Sequence, residues 1–111
     1  MLFCITVTYT AQALNALMEH PTVSRAEAAR QLVEAAGGKM ISFYSTVAEG
    51  PGAMVIFDVP DPSSAPAISG VVMASGAVRD IQLRRLLSPE EVVGVRQKAA
   101  ALRASYKPAT S

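Results

Sequence analysis

Residues 37–62, GGKMISFYSTVAEGPGAMVIFDVPDP, read as a helix stop, a strand, a tight turn, a second strand and a second stop. Gly37-Gly38 supplies the first stop, because a glycine just past a helix takes the left-handed conformation at no steric cost. Lys39–Val47 and Ala53–Val59 are rich in β-branched and aromatic residues, as strands are. Glu49-Gly50-Pro51-Gly52 is the turn between them. Pro60 and Pro62 end the second of these strands, since neither can donate an N–H to a ladder. The stretch is a β-hairpin set between helical segments.

Upstream, Leu2–Tyr9 is a strand by the same signs. Side chains alternate along a strand, so Phe3, Ile5 and Val7 share one face and Cys4, Thr6 and Thr8 the other. In the hairpin, strict alternation puts Met40, Ser42, Tyr44 and Thr46 together, opposite Ile41, Phe43, Ser45 and Val47. Thr10 can cap a short helical turn through Leu17, and His20-Pro21 interrupts it, because a residue before proline is pushed out of the α region. Thr22 or Ser24 then caps a longer helix, and Ser24 has Glu27 three residues on in the capping-box pattern. Ala28, Leu32, Val33 and Ala36 form its apolar stripe.

Downstream, Ser63–Ser75 reads as a helix burying Ala65, Ile68, Val72 and Met73, with Pro66 in its first turn. Val78–Leu86 is a fourth strand; Ile81 and Leu83 face the side of Phe3 and Ile5, and Asp80, Gln82 and Arg84 face away. Ser88-Pro89-Glu90-Glu91 is a helix start with a capping serine, a first-turn proline and acids at the positive end of the helix dipole. That helix runs to about Ala104. The order βαββαβ plus a C-terminal helix defines an α+β, ferredoxin-like fold, a four-stranded antiparallel sheet with helices on one face. Residues 1–104 form one domain, and Ser105–Ser111 is expected to be a flexible tail.

Composition narrows the function. The chain has 111 residues, of which 50% are hydrophobic, enough for a core without disulfides or metal. Its net charge is +1, with acids and bases interspersed, so phosphate-driven nucleic-acid binding has no basic stripe to work through. It has no Trp and few aromatics, which argues against base stacking. Cys4 is the sole cysteine, so no internal disulfide exists and a reducing, cytoplasmic setting is the simplest reading. Its apolar surroundings in sequence predict a buried small hydrophobe. The apolar N-terminus lacks a signal peptide's basic region, and no stretch is long enough to span a bilayer. His20 is the sole histidine and is expected in a solvent-facing loop. No zinc-ligand spacing occurs, and only His20, Cys4 or a tyrosine would be available to bind haem iron. No cofactor and no metal are expected.

The uncovered face of the sheet carries the main functional expectation. It is predicted to hold Cys4, Thr6, Thr8, Met40, Tyr44, Thr46, Met54, Ile56, Asp58, Asp80, Gln82 and Arg84. This set is too apolar for a fully solvated face and too charged for an ordinary core. Two such faces packed together would bury the apolar part and enclose a polar pocket, so a homodimer or higher homo-oligomer is expected. The C-terminal helix, with Val92, Val93, Val95, Ala99 and Leu102, competes to cover its own sheet or to clamp the partner. Tyr44 and Thr46, with Thr6 and Thr8, are the candidate hydroxyls for a small polar ligand. Asp58, Asp80, Gln82 and Arg84 are the candidate charged and amide groups, with an ion pair from either aspartate to Arg84 expected across strands.

The chain resembles the GYD-domain family, small bacterial proteins related to the dimeric α/β-barrel proteins. The resemblance rests on the strand ending Tyr9-Thr10, the Ser24-Arg25-Ala26-Glu27 helix start, Gly37-Gly38-Lys39 and Phe43-Tyr44-x-Thr46. It continues through Met54-Val55-Ile56-Phe57-Asp58-Val59-Pro60-Asp61, Gly76-Ala77-Val78-Arg79 and Leu83-Arg84. The Gly-Tyr-Asp turn that names the family is here Glu49-Gly50-Pro51-Gly52, without the tyrosine and aspartate. The resemblance implies a dimeric α/β barrel and an assembly rather than a reaction. By fold alone, its wider relatives include cofactor-free monooxygenases and haem-handling proteins.

The functional expectation is a small-molecule-binding homo-oligomeric module, with the ligand between sheet and C-terminal helix. One alternative is a cofactor-independent monooxygenase or isomerase acting on a small aromatic or carbonyl compound, with Asp58 or Tyr44 as acid or base. The other is a structural assembly unit.

Overall fold

The computed structural model describes residues 1–47 and 50–110. Ala48 and Glu49, at the predicted hairpin turn, lie outside the described residues. The elements run β1 (Leu2–Tyr9), α1 (Ala11–Glu19), α2 (Arg25–Ala35), β2 (Lys39–Thr46), β3 (Gly52–Asp58), α3 (Ser64–Ala74), β4 (Val78–Leu86) and α4 (Pro89–Leu102), followed by one 3₁₀ turn, Arg103–Ser105. The four strands form one antiparallel sheet in the order β2-β3-β1-β4. This is the expected α+β, ferredoxin-like architecture with an additional C-terminal helix.

The helices begin where their capping chemistry places them. The Thr10 hydroxyl accepts from the Ala13 N–H, and α1 is a full nine-residue helix rather than a short turn. His20 caps its end, so two helices occupy the first crossover. The Ser24 hydroxyl accepts from the Glu27 N–H at 3.1 Å, but the Glu27 carboxylate turns to Arg30, so the predicted capping box is only half made. At Ser88 both halves are made. Gly37 closes α2 with φ +80°, the left-handed conformation. Gly52, expected in the turn, instead opens β3. A Cβ there would lie 1.7 Å from the Val7 carbonyl oxygen, so only glycine lets β1 and β3 approach at this point.

The core lies between the sheet and α2 and α3. Phe3, Ile5 and Phe57 from the sheet meet Val33 of α2 and Ala65 and Ile68 of α3. The Phe3 and Phe57 rings stack with centroids 5.9 Å apart, and the Arg85 guanidinium lies 5.6 Å from the Phe3 ring centre. Ile81 pairs with Val7 and Leu83 with Ile5, as alternation predicts. Two residues depart from expectation. Met73 is largely exposed rather than buried. Met40 lies opposite Phe57 on the helix side, because a bulge at Ile41 breaks the alternation of β2 before Ser42.

α4 does not return to the sheet. Its start is fixed by the Ser88 capping box and by an ion pair from Arg85 to Glu91 at 3.3 Å. Beyond that it makes only glancing contact with the rest of the described chain. The radius of gyration is 17.5 Å and the long dimension 57 Å, against roughly 13 Å expected for a compact chain of this size.

Candidate functional site

The strand register lays out the open face as four rows crossing β4, β1, β3 and β2 in turn, because directly paired residues of an antiparallel sheet point to the same side. The rows are Leu86, Leu2, Asp58 and Lys39; then Arg84, Cys4, Ile56 and Ser42; then Gln82, Thr6, Met54 and Tyr44; then Asp80, Thr8, Gly52 and Thr46. Thr6, Thr8, Tyr44, Thr46, Asp58, Gln82 and Arg84 therefore do share this face.

The structure does not bring these hydroxyls together. β3 separates β1 from β2, so Thr6 and Thr8 stand two strand spacings, roughly 10 Å, from Tyr44 and Thr46. The expected ion pair from Asp58 or Asp80 to Arg84 is replaced as well. Asp58 accepts from the amino group of Met1 at 2.7 Å, and Arg84 donates to the Gln82 side-chain oxygen at 2.9 Å. The reason is position: Asp58 lies on β3, two strands from β4, and Asp80 lies four residues from Arg84 along an extended strand. Cys4 is half-buried on this face rather than part of the core.

The centre of the open face is apolar. Leu2, Cys4, Met54 and Ile56 are each half-buried, and Tyr44 is 59% exposed at the β2 edge. The polar residues gather on the β4 edge and at the ends of the rows. The protein's own last helix does not cover this surface.

The better-formed concavity is on the other side of the sheet. α2 packs over β2 and α3 over β4, leaving a gap above the Val7 end of β1 and the Val55 end of β3. That gap is a cavity of 230 Å³. Its walls include Val7, Phe43 and Val55 of the sheet, Leu32 of α2, and Val71 and Val72 of α3. Three lining residues are polar: Tyr9, Arg25 and Ser75. The Ser75 hydroxyl is already used, donating to the Val72 carbonyl and accepting from the Ala77 N–H.

A second concavity of 320 Å³ adjoins it beneath α1, walled by Ala13, Ala16, Leu17, His20 and Val23. Tyr9, Arg25 and Ala77 belong to both, so they form a shared partition. His20 is exposed, in keeping with its position after α1. Sequence alternation marks Val7, Val55 and Leu32 as inward-facing, but it does not show that two helices sit far enough apart to leave space above them.

The perturbed carboxylates lie elsewhere. Arg30 holds Glu27 below the usual carboxylate range, the Ser63 N–H does the same for Asp61, and the Ser88 N–H does so for Glu91. All three sit at helix starts, where such hydrogen bonds stabilise the first turn. Among the described residues no three His, Cys, Asp or Glu side chains are placed to hold a metal ion. Among them also, no helix is long and apolar enough to cross a membrane.

The architecture makes this an α+β protein with a ferredoxin-like sheet. The chain belongs to the GYD-domain family, whose model matches residues 3–95. A solved structure of similar fold is the 5-chloro-2-hydroxyhydroquinone dehydrochlorinase of Burkholderia phenoliruptrix AC1100 in complex with 2,5-dihydroxybenzoquinone. The match has a TM-score of 0.55 and 15% identity, and covers 81% of this chain and 97% of that one. No curated protein sequence matches the chain.

Proposed function

We propose that this protein is a small-molecule-binding module that works as a homodimer, with its ligand in the cavity between helices and sheet and its partner on the open face. The observation that supports the ligand site is the cavity itself. An apolar cavity of about 150 Å³ accepts a benzene ring, and this one measures 230 Å³. It therefore accommodates a single ring with short substituents. The dehydrochlorinase of similar fold was solved with one small ring compound, which is in keeping with that size.

The dimer reading rests on the open face and on α4. Leu2, Cys4, Met54 and Ile56 form a contiguous apolar centre that this chain leaves uncovered. Val92, Val95, Ala99 and Leu102 recur at the three- and four-residue spacing of one helix stripe, on a helix that makes only glancing contact with the rest of the described chain. In the homodimer the two open faces form the seam, with Thr6, Thr8, Tyr44, Thr46, Asp58, Gln82 and Arg84 around its apolar centre, and α4 clasps the second copy. Binding is favoured over catalysis because the described lining of the cavity holds no carboxylate, thiol or imidazole, which leaves Tyr9 as its one proton-transfer group.

Calorimetry with 4-propylbenzyl alcohol, a neutral ring of suitable size, tests the site. The native protein should bind it, and Val72→Phe, which fills the cavity, should abolish binding while the protein stays folded. Equal binding by Val72→Phe, or no binding by the native protein, overturns the placement. Light scattering at micromolar concentration tests the assembly, where a clean monomer contradicts it.

A further inference from the structure

We infer that the cavity selects ring compounds bearing an acidic group, with Arg25 and Tyr9 as the residues that recognise the anion. This rests on the cavity being the ligand site. Of the residues that line it, Arg25 is the one permanently charged side chain. It stands exposed at the first position of α2, at the partition shared with the second concavity. Among the described residues it forms no ion pair, whereas Arg30, one turn along, is held by both Glu27 and Glu34.

Tyr9 is half-buried at the same partition. Its backbone N–H is bonded to the Pro51 carbonyl, and its hydroxyl has no hydrogen-bond partner among the described residues. The third polar liner, Ser75, is satisfied within its own turn. A guanidinium and a phenol thus remain, at the partition, as the polar groups of this apolar chamber not already satisfied within the described residues. The start of α2 adds its partial positive charge to the same place.

This arrangement matches an amphiphile of one kind. The ring lies against Val7, Val55, Leu32 and Val72, where burial of apolar area supplies the affinity. A carboxylate, or the ionised hydroxyl of a hydroxyquinone, sits at the partition, where it accepts from the guanidinium and the phenol. Hydrogen bonds between ionised partners are about twice as strong as neutral ones. A cationic ligand would meet Arg25 with like charge, and a neutral one would gain nothing from its charge. The second concavity, with His20 on its wall, gives room for a substituent beyond the acid.

The test compares 4-propylbenzoate with 4-propylbenzyl alcohol on the full-length protein by calorimetry at neutral pH and low salt. The benzoate should bind roughly tenfold more tightly or better. Arg25→Gln should bring the two within about twofold by weakening the benzoate alone, and Tyr9→Phe should do so to a smaller extent. Raising the salt should narrow the preference in the native protein, since the guanidinium is exposed. Equal affinities in the native protein, or an equal loss of both compounds in Arg25→Gln, overturn the anion preference while leaving the cavity as the site. If neither compound binds, the site itself is wrong and the inference falls with it.

Discussion

Phe57 and its neighbour Ile56 stand one residue apart on β3 and face opposite sides of the same sheet. Phe57 is wholly buried, stacked on Phe3 and roofed by α2 and α3. Ile56 is half-buried, with Cys4 on one side and Ser42 on the other. The helix side is apolar almost throughout; Arg85 lies over the Phe3 ring at its margin, and Arg25 is the one permanently charged residue that lines the cavity. The open side grades from apolar at its centre to charged at its β4 edge. The first face is built to close on itself with a small space left over. The second is left without a cover by the helices, which is what the proposed homodimer would supply.

The largest expected effect breaks this contrast most sharply. Phe57→Ala should lower unfolding free energy by about 3–5 kcal/mol, enough to unfold much of a domain this size. Ile56→Ala should cost less than about 1 kcal/mol in the monomer, where the side chain is already partly wet. Urea denaturation of the two variants at low protein concentration measures both, and equal losses would erase the distinction between the faces.

Gly52→Ala comes next. The added methyl group collides with the Val7 backbone, not with a side chain that can move aside. A cost of about 1–3 kcal/mol is expected, seen as a lower urea midpoint. Ile56→Asp addresses the open face alone. It should weaken self-association by roughly tenfold or more and leave the isolated fold intact, because it places a charge at the centre of the proposed seam. Sedimentation equilibrium reads this directly, and unchanged association would remove the open face as the seam.

The smallest effects lie at the start of α4. Ser88→Ala should cost the helix about 1 kcal/mol and show as faster amide exchange in its first turn. Glu91 titrates below its ordinary value because the Ser88 N–H, and then Arg85, favour the charged form. The sign follows from that. The contribution to the helix start is fully present above the usual carboxylate pKa of about 4.3 and is lost as pH falls through the depressed folded value. Amide exchange followed down to pH 3 should show α4 fraying only on the acid side, and Glu91→Gln should abolish that transition.

The architecture was legible wherever the cause was local. The glycine pair after α2, the serines at 24 and 88, and the alternation of β1 and β4 each fix an element through its own backbone chemistry. Three things were not legible, each for a non-local reason. The bulge at Ile41 moves Met40 to the helix side, because pairing with β3 rather than alternation decides the face. The hydroxyls of β1 and β2 share a face without meeting, because β3 lies between them. The cavity comes from the spacing of two helices, and its liners look like any other core residues in sequence. In sequence Arg25 reads only as part of a helix start. That it forms no ion pair among the described residues, beside the well-paired Arg30, becomes visible only once the ion pairs are placed.

Backbone amide spectra of the full chain titrated with 4-propylbenzoate put the central claim to its most direct test. Shifts should concentrate at Val7, Tyr9, Arg25, Leu32, Val55 and Val72, with Thr6, Tyr44, Met54 and Gln82 left nearly unmoved. Shifts gathered instead on Thr6, Tyr44, Met54 and Gln82 would place the ligand on the open face and contradict the division of labour between the two sides of the sheet.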